Sequence, residues 1–190
     1  MPSPAMFDLH DPGSRDVPGH DHWHPDLPGV AEVITGGSVR MECPGRGPGG
    51  GVLLCGPLVV VGAEPGDVIV VDVLGVGRAG CAHDTGGHPG IIGCAPSDPV
   101  ALPAGARGRD VGGCRIAPPS AGSRVLLPVR VRGAKLSAGD LHFPARGGDG
   151  CDGAAAPGWI DLRVNLTRRG VERFRVTGPM LMPDPSPRVA

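Results

Sequence analysis

Nearly a third of this chain is glycine or proline, 34 and 23 of its 190 residues. These are the two poorest helix formers, which excludes a helical protein. So high a fraction also occurs in low-complexity and disordered chains. The other residues argue against disorder: 40% are hydrophobic, 19% are charged, and the net charge is −1. A disordered chain is poor in apolar residues and rich in net charge. Glycine follows no collagen-like period. The expected fold is mainly β, short strands joined by tight turns, with at most one or two short helices.

The length suits one domain with a substantial core. With 2 Trp, 3 Phe and no Tyr, that core must be built from Val, Leu, Ile and Ala. The expected division is a loosely ordered segment over 1–19, a single domain over 20–180 and a tail over 181–190. The near-zero charge gives no electrostatic footprint for nucleic acid. No basic region precedes an apolar run at Met1–Asp8, and no apolar stretch reaches membrane-spanning length. The expectation is a cytoplasmic protein whose partners are a small-molecule substrate and further copies of itself. Its six cysteines include no closely spaced pair, and in a reducing compartment they are expected as free thiols.

Leu53–Leu74 holds two Val-rich runs, expected as strands buried on both faces. Pro65-Gly66 between them has the chemistry of a type II turn. Ser123–Arg132 and Trp159–Leu166 alternate apolar and polar residues, the pattern of strands with one buried face. A turn at Gly170 is expected to lead into a returning strand at Val171–Val176. Gly75–Gly113 is read as a long irregular loop, and such loops are often functional.

Three constellations can carry chemistry. In an extended chain His20, His22 and His24 share one face, a metal-site pattern. The alternative is a polar strand whose histidines cap loops. Asp140 and His142 are likewise two apart, with Asp149 on a Gly-flanked loop. They can act as acid and base or bind a metal, although Gly-Asp and Asp-Gly are also ordinary turn dipeptides. Cys94 offers a nucleophile and Gly112-Gly113 offers backbone donors for an oxyanion. The plainer alternatives there are a packing cysteine and a turn.

Taken in order, the motifs are more specific than any one of them. They are Trp23-His24-Pro25-Asp26-Leu27-Pro28, then Gly62-Ala63-Glu64-Pro65-Gly66-Asp67, then His88-Pro89-Gly90 with Gly93-Cys94-Ala95-Pro96-Ser97. Gly139-Asp140-Leu141-His142-Phe143, Gly148-Asp149-Gly150 and Gly158-Trp159-Ile160-Asp161-Leu162 follow. Together they resemble the acetamidase/formamidase family of amide hydrolases. The resemblance implies a β-rich fold and hydrolysis of short aliphatic amides to carboxylate and ammonia. It implies catalytic roles for Asp140, His142 and Asp149. Substrate contacts are expected at His88, Cys94 and Gly113. The resemblance further implies a divalent metal, zinc among the options, held by His20, His24, His142 and Asp149.

The chain departs from the family pattern at several points. It is much shorter, Val52–Pro57 lacks the family histidine, and Cys114 and Arg115 follow Gly112-Gly113. Cys151 replaces a glutamate, and Ala154–Ala156 stand where a second acidic residue is usual. Ala cannot move a proton as a carboxylate does, whereas His22 and Cys151 are added zinc-type donors. Two readings follow: a hydrolase acting on a small amide, or a shortened member with altered chemistry in specialised metabolism or a non-catalytic ligand- or metal-binding role.

Overall fold

A computed structural model describes residues 19–106, 118–145 and 153–184. Its strands are β1 (His22–Trp23), β2 (Ala31–Val33), β3 (Gly37–Cys43), β4 (Leu54–Val60), β5 (Val68–Arg78) and β6 (His88–Cys94). They continue with β7 (Leu102–Pro103), β8 (Arg124–Pro128), β9 (Leu136–His142), β10 (Gly158–Thr167) and β11 (Met180–Met182). Among the described residues a short α-helix, α1, spans Gly170–Phe174, and a 3₁₀ turn spans Ala104–Ala106.

Strands β11-β8-β5-β10-β3 form a five-stranded sheet, β2-β4-β9-β6 a four-stranded sheet, and β1-β7 a separate ribbon. The two larger sheets pack face to face. Between them lie Val71, Val73, Val125, Leu127, Ile160 and Leu162 from one sheet and Leu58, Val60, Ile92, Leu136, Ala138 and Leu141 from the other. This is the aliphatic core that the composition demands. Each buried Val, Leu or Ile contributes about 1.5–3 kcal/mol of transfer free energy.

The expected patterns hold where one face meets the core. In β10, Ile160, Leu162 and Val164 are buried while Arg163 is exposed. On the outward face of the five-stranded sheet, Arg40 makes a two-point ion pair with its cross-strand partner Asp161, at 2.8 and 2.7 Å. Arg124 pairs with its own cross-strand partner Asp72 at 2.6 Å. The turn after β4 is type II: Asp67 donates its N–H to the Glu64 carbonyl at 3.0 Å, and Gly66 has φ +93°.

Four expectations are corrected. Strand β4 is buried on both faces, but β5 alternates, with Val70 and Asp72 half-buried and Leu74 exposed. The Asp72–Arg124 pair explains why that outer face remains wet. The presumed loop after Gly75 contains the end of β5 and all of β6, because His88–Cys94 pairs with β9. Val171–Val176 is not a strand: a tight turn with Arg169 at φ 52° leads into α1. Cys43 on β3 and Cys55 on β4 are not free thiols but a disulfide, with Cα atoms 5.0 Å apart, joining the two sheets through the core. Cys81 and Cys94 form no disulfide, and Cys114 and Cys151 lie outside the described residues.

Gly158, at the start of β10, sits between its neighbour strand β5 and the end of β9 in the other sheet. A Cβ there would sit 2.3 Å from the Gly77 carbonyl oxygen and 3.0 Å from the Phe143 ring. Neither neighbour can move without disturbing a strand. Gly158→Ala should therefore cost about 1–3 kcal/mol, read as a lower urea midpoint. A midpoint equal to that of the wild type would show that the space around Gly158 is less tightly packed.

Candidate functional site

The polar residues converge on β9, and the cause is local. Leu136 and Ala138 point into the core, and so do Leu141 and Phe143. Strict alternation cannot place both pairs there, because a side-chain period of two would turn Leu141 outward. The break falls at Asp140, a non-glycine residue with φ +53°. This left-handed backbone is uncommon for such residues, and Asp is among the few that tolerate it. It reverses the phase of the strand and sends His142 to the face away from Leu141 and Phe143.

Asp140 Oδ1 lies 3.4 Å from His142 Nε2, with both side chains largely buried. His88, opposite His142 in the β6–β9 register, packs edge-on against its ring with centroids 5.3 Å apart. The residue opposite Asp140 is Gly90, where a Cβ would lie 2.7 Å from Asp140 Oδ2. The His88-Pro89-Gly90 motif thus supplies an imidazole and the space for a carboxylate.

A second polar group lies at the other end of β9. Ser137 is buried, and its hydroxyl hydrogen-bonds His20 Nε2 at 2.9 Å. His20 Nδ1 lies 2.7 Å from the His22 carbonyl oxygen. Burial holds the imidazole of His20 below its ordinary value of 6.5, with the bond to the His22 carbonyl opposing the shift. The neutral ring therefore dominates near neutral pH.

Two anchors hold the segment that carries His20. Its backbone exchanges hydrogen bonds with Leu54 at 2.9 and 2.8 Å. Lys135, the only lysine of the chain, donates its ammonium to the carbonyls of Pro25 and Leu27, the latter at 2.7 Å. Trp23 continues the cover, packing with Leu54, Ile91 and Ala104 on the outer face of the four-stranded sheet and donating its indole N–H to the Ala104 carbonyl at 3.0 Å.

The three N-terminal histidines do not act as one face. His20 turns to Ser137, His22 to the neighbouring Asp21 carboxylate at 2.8 Å, and His24 Nε2 to the Pro99 carbonyl at 2.7 Å. The other nitrogen of His24 accepts the Asp26 N–H at 3.1 Å. Both nitrogens of His20 and of His24 are thus engaged. Among the described residues no three His, Cys, Asp or Glu side chains gather as metal ligands. In this arrangement His20 and His24 offer no free ring nitrogen to a metal ion. Asp149 and Gly113 lie outside the described residues.

Cys94 closes β6 and lines a cavity of about 90 Å³ with Trp23, Gly93, Pro128 and Arg130. The cavity lies apart from Asp140 and His142 but touches Gly93, the cross-strand partner of Ser137. Neither Ser137 nor Lys135 stood out in the sequence. The available signal was the phase of β9: Ser137 shares with Gly139 the face opposite Leu136 and Ala138.

A model of the Acetamidase/Formamidase family matches residues 101–188, which include β9 with Ser137, Asp140 and His142. A formamidase of Methylophilus methylotrophus is 29% identical, over 92% of this chain and 70% of its own length. An acetamidase of Mycolicibacterium smegmatis is 28% identical, over 96% of this chain and 75% of its own. Among solved structures, a gamma lactamase from Delftia acidovorans superimposes with a TM-score of 0.68 at 24% identity, covering 96% of this chain and 72% of that one. An acetamidase from Yersinia enterocolitica gives 0.69 at 17% identity, covering 87% and 68%. The structural neighbours share the fold.

The state of His20 sets a pH dependence. The unfolded chain takes up a proton near 6.5, whereas the folded protein resists it until lower pH. Stability should rise with pH across that interval and be fully present above it. Urea midpoints measured between about pH 5 and 7 should climb in the wild type and climb less in His20→Gln. Equal slopes would mean that His20 is not held neutral.

Proposed function

We propose that the chain is a member of the acetamidase/formamidase family and that it hydrolyses the carbon–nitrogen bond of a small aliphatic amide, releasing a carboxylate and ammonia. The observation that carries this reading is the buried Asp140–His142 pair on β9. It joins the likeness to a formamidase and an acetamidase to an arrangement able to move protons. Amide hydrolysis needs a group that removes a proton from the attacking oxygen and returns one to the departing nitrogen. An imidazole held by a carboxylate suits both tasks, since the carboxylate fixes the ring and stabilises its protonated form.

In this reading Asp140 orients His142, and His88 packs against the His142 ring to limit its rotation. Gly90 leaves room for the carboxylate. Asp149 is proposed as a further acid or base, and Cys94 and Gly113 as substrate contacts. The reaction is written on protein side chains, and of the expected metal ligands His20 and His24 hydrogen-bond the His22 carbonyl, Ser137, the Pro99 carbonyl and the Asp26 N–H. A cytoplasmic setting and assembly of several copies belong to the same proposal. Among the described residues no helix is long and apolar enough to cross a membrane.

The test is ammonia release from formamide and acetamide by the purified protein. Activity is expected, and His142→Ala should lower kcat by about 10²–10⁴-fold. Gly90→Ala, which displaces the Asp140 carboxylate without removing a functional group, should lower kcat more than it changes KM. Absence of ammonia from both amides would end this reading and leave a shortened member with altered chemistry. Full activity in His142→Ala would move the site elsewhere.

A further inference from the structure

We infer that Ser137 and His20 form a nucleophile–base pair that takes the acyl group of a short-chain ester or amide onto the Ser137 oxygen. The roles follow from the hydrogen bonds. The His22 carbonyl can only accept, so the nitrogen facing it, His20 Nδ1, carries the hydrogen and donates at 2.7 Å. In the neutral ring Nε2 then has the lone pair and accepts the Ser137 hydroxyl at 2.9 Å. A hydroxyl, a base within hydrogen-bond reach and a third group that fixes the base make up an activated nucleophile.

The pair is held and enclosed. Ser137 is only 1% exposed, lying beneath the anchored His20 segment. Opposite it, the β4–β9 register shifts between Cys55 and Leu58, and a Cβ on Gly56 would come within 3.0 Å of the Ser137 oxygen. Such irregularities commonly re-aim a side chain near an active site. The cross-strand partner of Ser137 is Gly93, and the cavity of about 90 Å³ reaches Gly93 and Trp23. This enclosure restricts the acyl group to a short one. Ser137 precedes Asp140 by three positions, about 10 Å along an extended strand, so the pair works with its own base.

The chemistry balances without a co-reactant other than water. The Ser137 oxygen attacks the acyl carbon as its proton passes to His20 Nε2. The bond from carbon to the leaving oxygen or nitrogen breaks, and His20 returns the proton to that group, giving an alcohol or ammonia and an ester on Ser137. Water, deprotonated by His20, then attacks this ester. The carboxylic acid leaves and the Ser137 hydroxyl is restored.

Only the amide arm of this inference rests on the hydrolase reading above, and the test separates the two. The full chain is treated with p-nitrophenyl acetate, quenched, and mapped by peptide mass spectrometry, while ammonia release from formamide and acetamide is measured in parallel. One acetyl group is expected on Ser137, absent from Ser137→Ala and formed about 100-fold more slowly in His20→Gln. Ser123→Ala, which removes a buried hydroxyl elsewhere, should acetylate like the wild type. Ser137→Cys retains a nucleophile of similar size and should take up acetyl as a thioester, so the inference can be tested even if Ser137→Ala does not fold. Concurrent loss of ammonia release in a folded Ser137→Ala would extend the support to the amide reaction. A wild-type protein with no acetyl on Ser137, or an acetylation rate in His20→Gln within about threefold of wild type, overturns the inference. Acetylation of Ser137 without ammonia from either amide overturns the amide reading and upholds this one.

Discussion

The left-handed backbone at Asp140 is the constraint on which the polar face depends. A regular strand would have carried the Leu136–Ala138 alternation onward and placed His142 in an aliphatic core. Burying an imidazole among hydrocarbon without partners costs several kcal/mol. One residue at φ +53° prevents this: Leu141 and Phe143 stay in the core and His142 reaches the Asp140 carboxylate. A non-glycine residue in this region costs roughly 1–3 kcal/mol and persists only when its surroundings over-determine it. Here the β6 pairing, the core contacts of Leu141 and Phe143, and the contact with His142 do so together.

The two-sheet frame makes such local strain tolerable. The five-stranded sheet supplies a continuous aliphatic surface, and the Cys43–Cys55 bridge joins it to the four-stranded sheet. The outer face of the four-stranded sheet then needs a cover. The chain from His20 to Pro28, with β7 and the turn after it, provides one through Trp23, Leu102 and Ala104. The same cover places His20 over Ser137. Cover and site are thus one structural unit, tied down by Lys135 and by the backbone bridge to Leu54.

Much of the framework was readable from period-two patterns, because alternation reports directly which face is buried. This worked for β8 and β10, where one face meets the core and the other meets water. It failed where the physics is not periodic. The phase reversal at Asp140 leaves no mark on an alternating pattern, so the partnership of Asp140 and His142 was legible while the face they occupy was not. The His20–His22–His24 spacing read as one metal-binding face, but the extended run lasts only two residues in β1, and each ring finds its own partner. Ser137 is not legible in the sequence, because a lone serine between Leu and Ala has no signature; only the fold brings it to a histidine more than a hundred residues away.

The glycine content has a physical reading that composition alone did not supply. Several glycines make room where a side chain would collide with a polar group. Gly90 gives way to the Asp140 carboxylate and Gly56 to the Ser137 hydroxyl. Gly139, between those two residues, lets β9 approach the Leu53 carbonyl, which a Cβ would meet at 2.8 Å. Polar side chains can be seated within a sheet only if neighbouring positions yield volume, since interiors are packed as densely as crystals. A chain with few aromatics and many glycines can therefore hold a buried row of Ser, Asp and His along one strand. A bulkier sequence would have to expose them, losing the low-dielectric surroundings that strengthen each hydrogen bond.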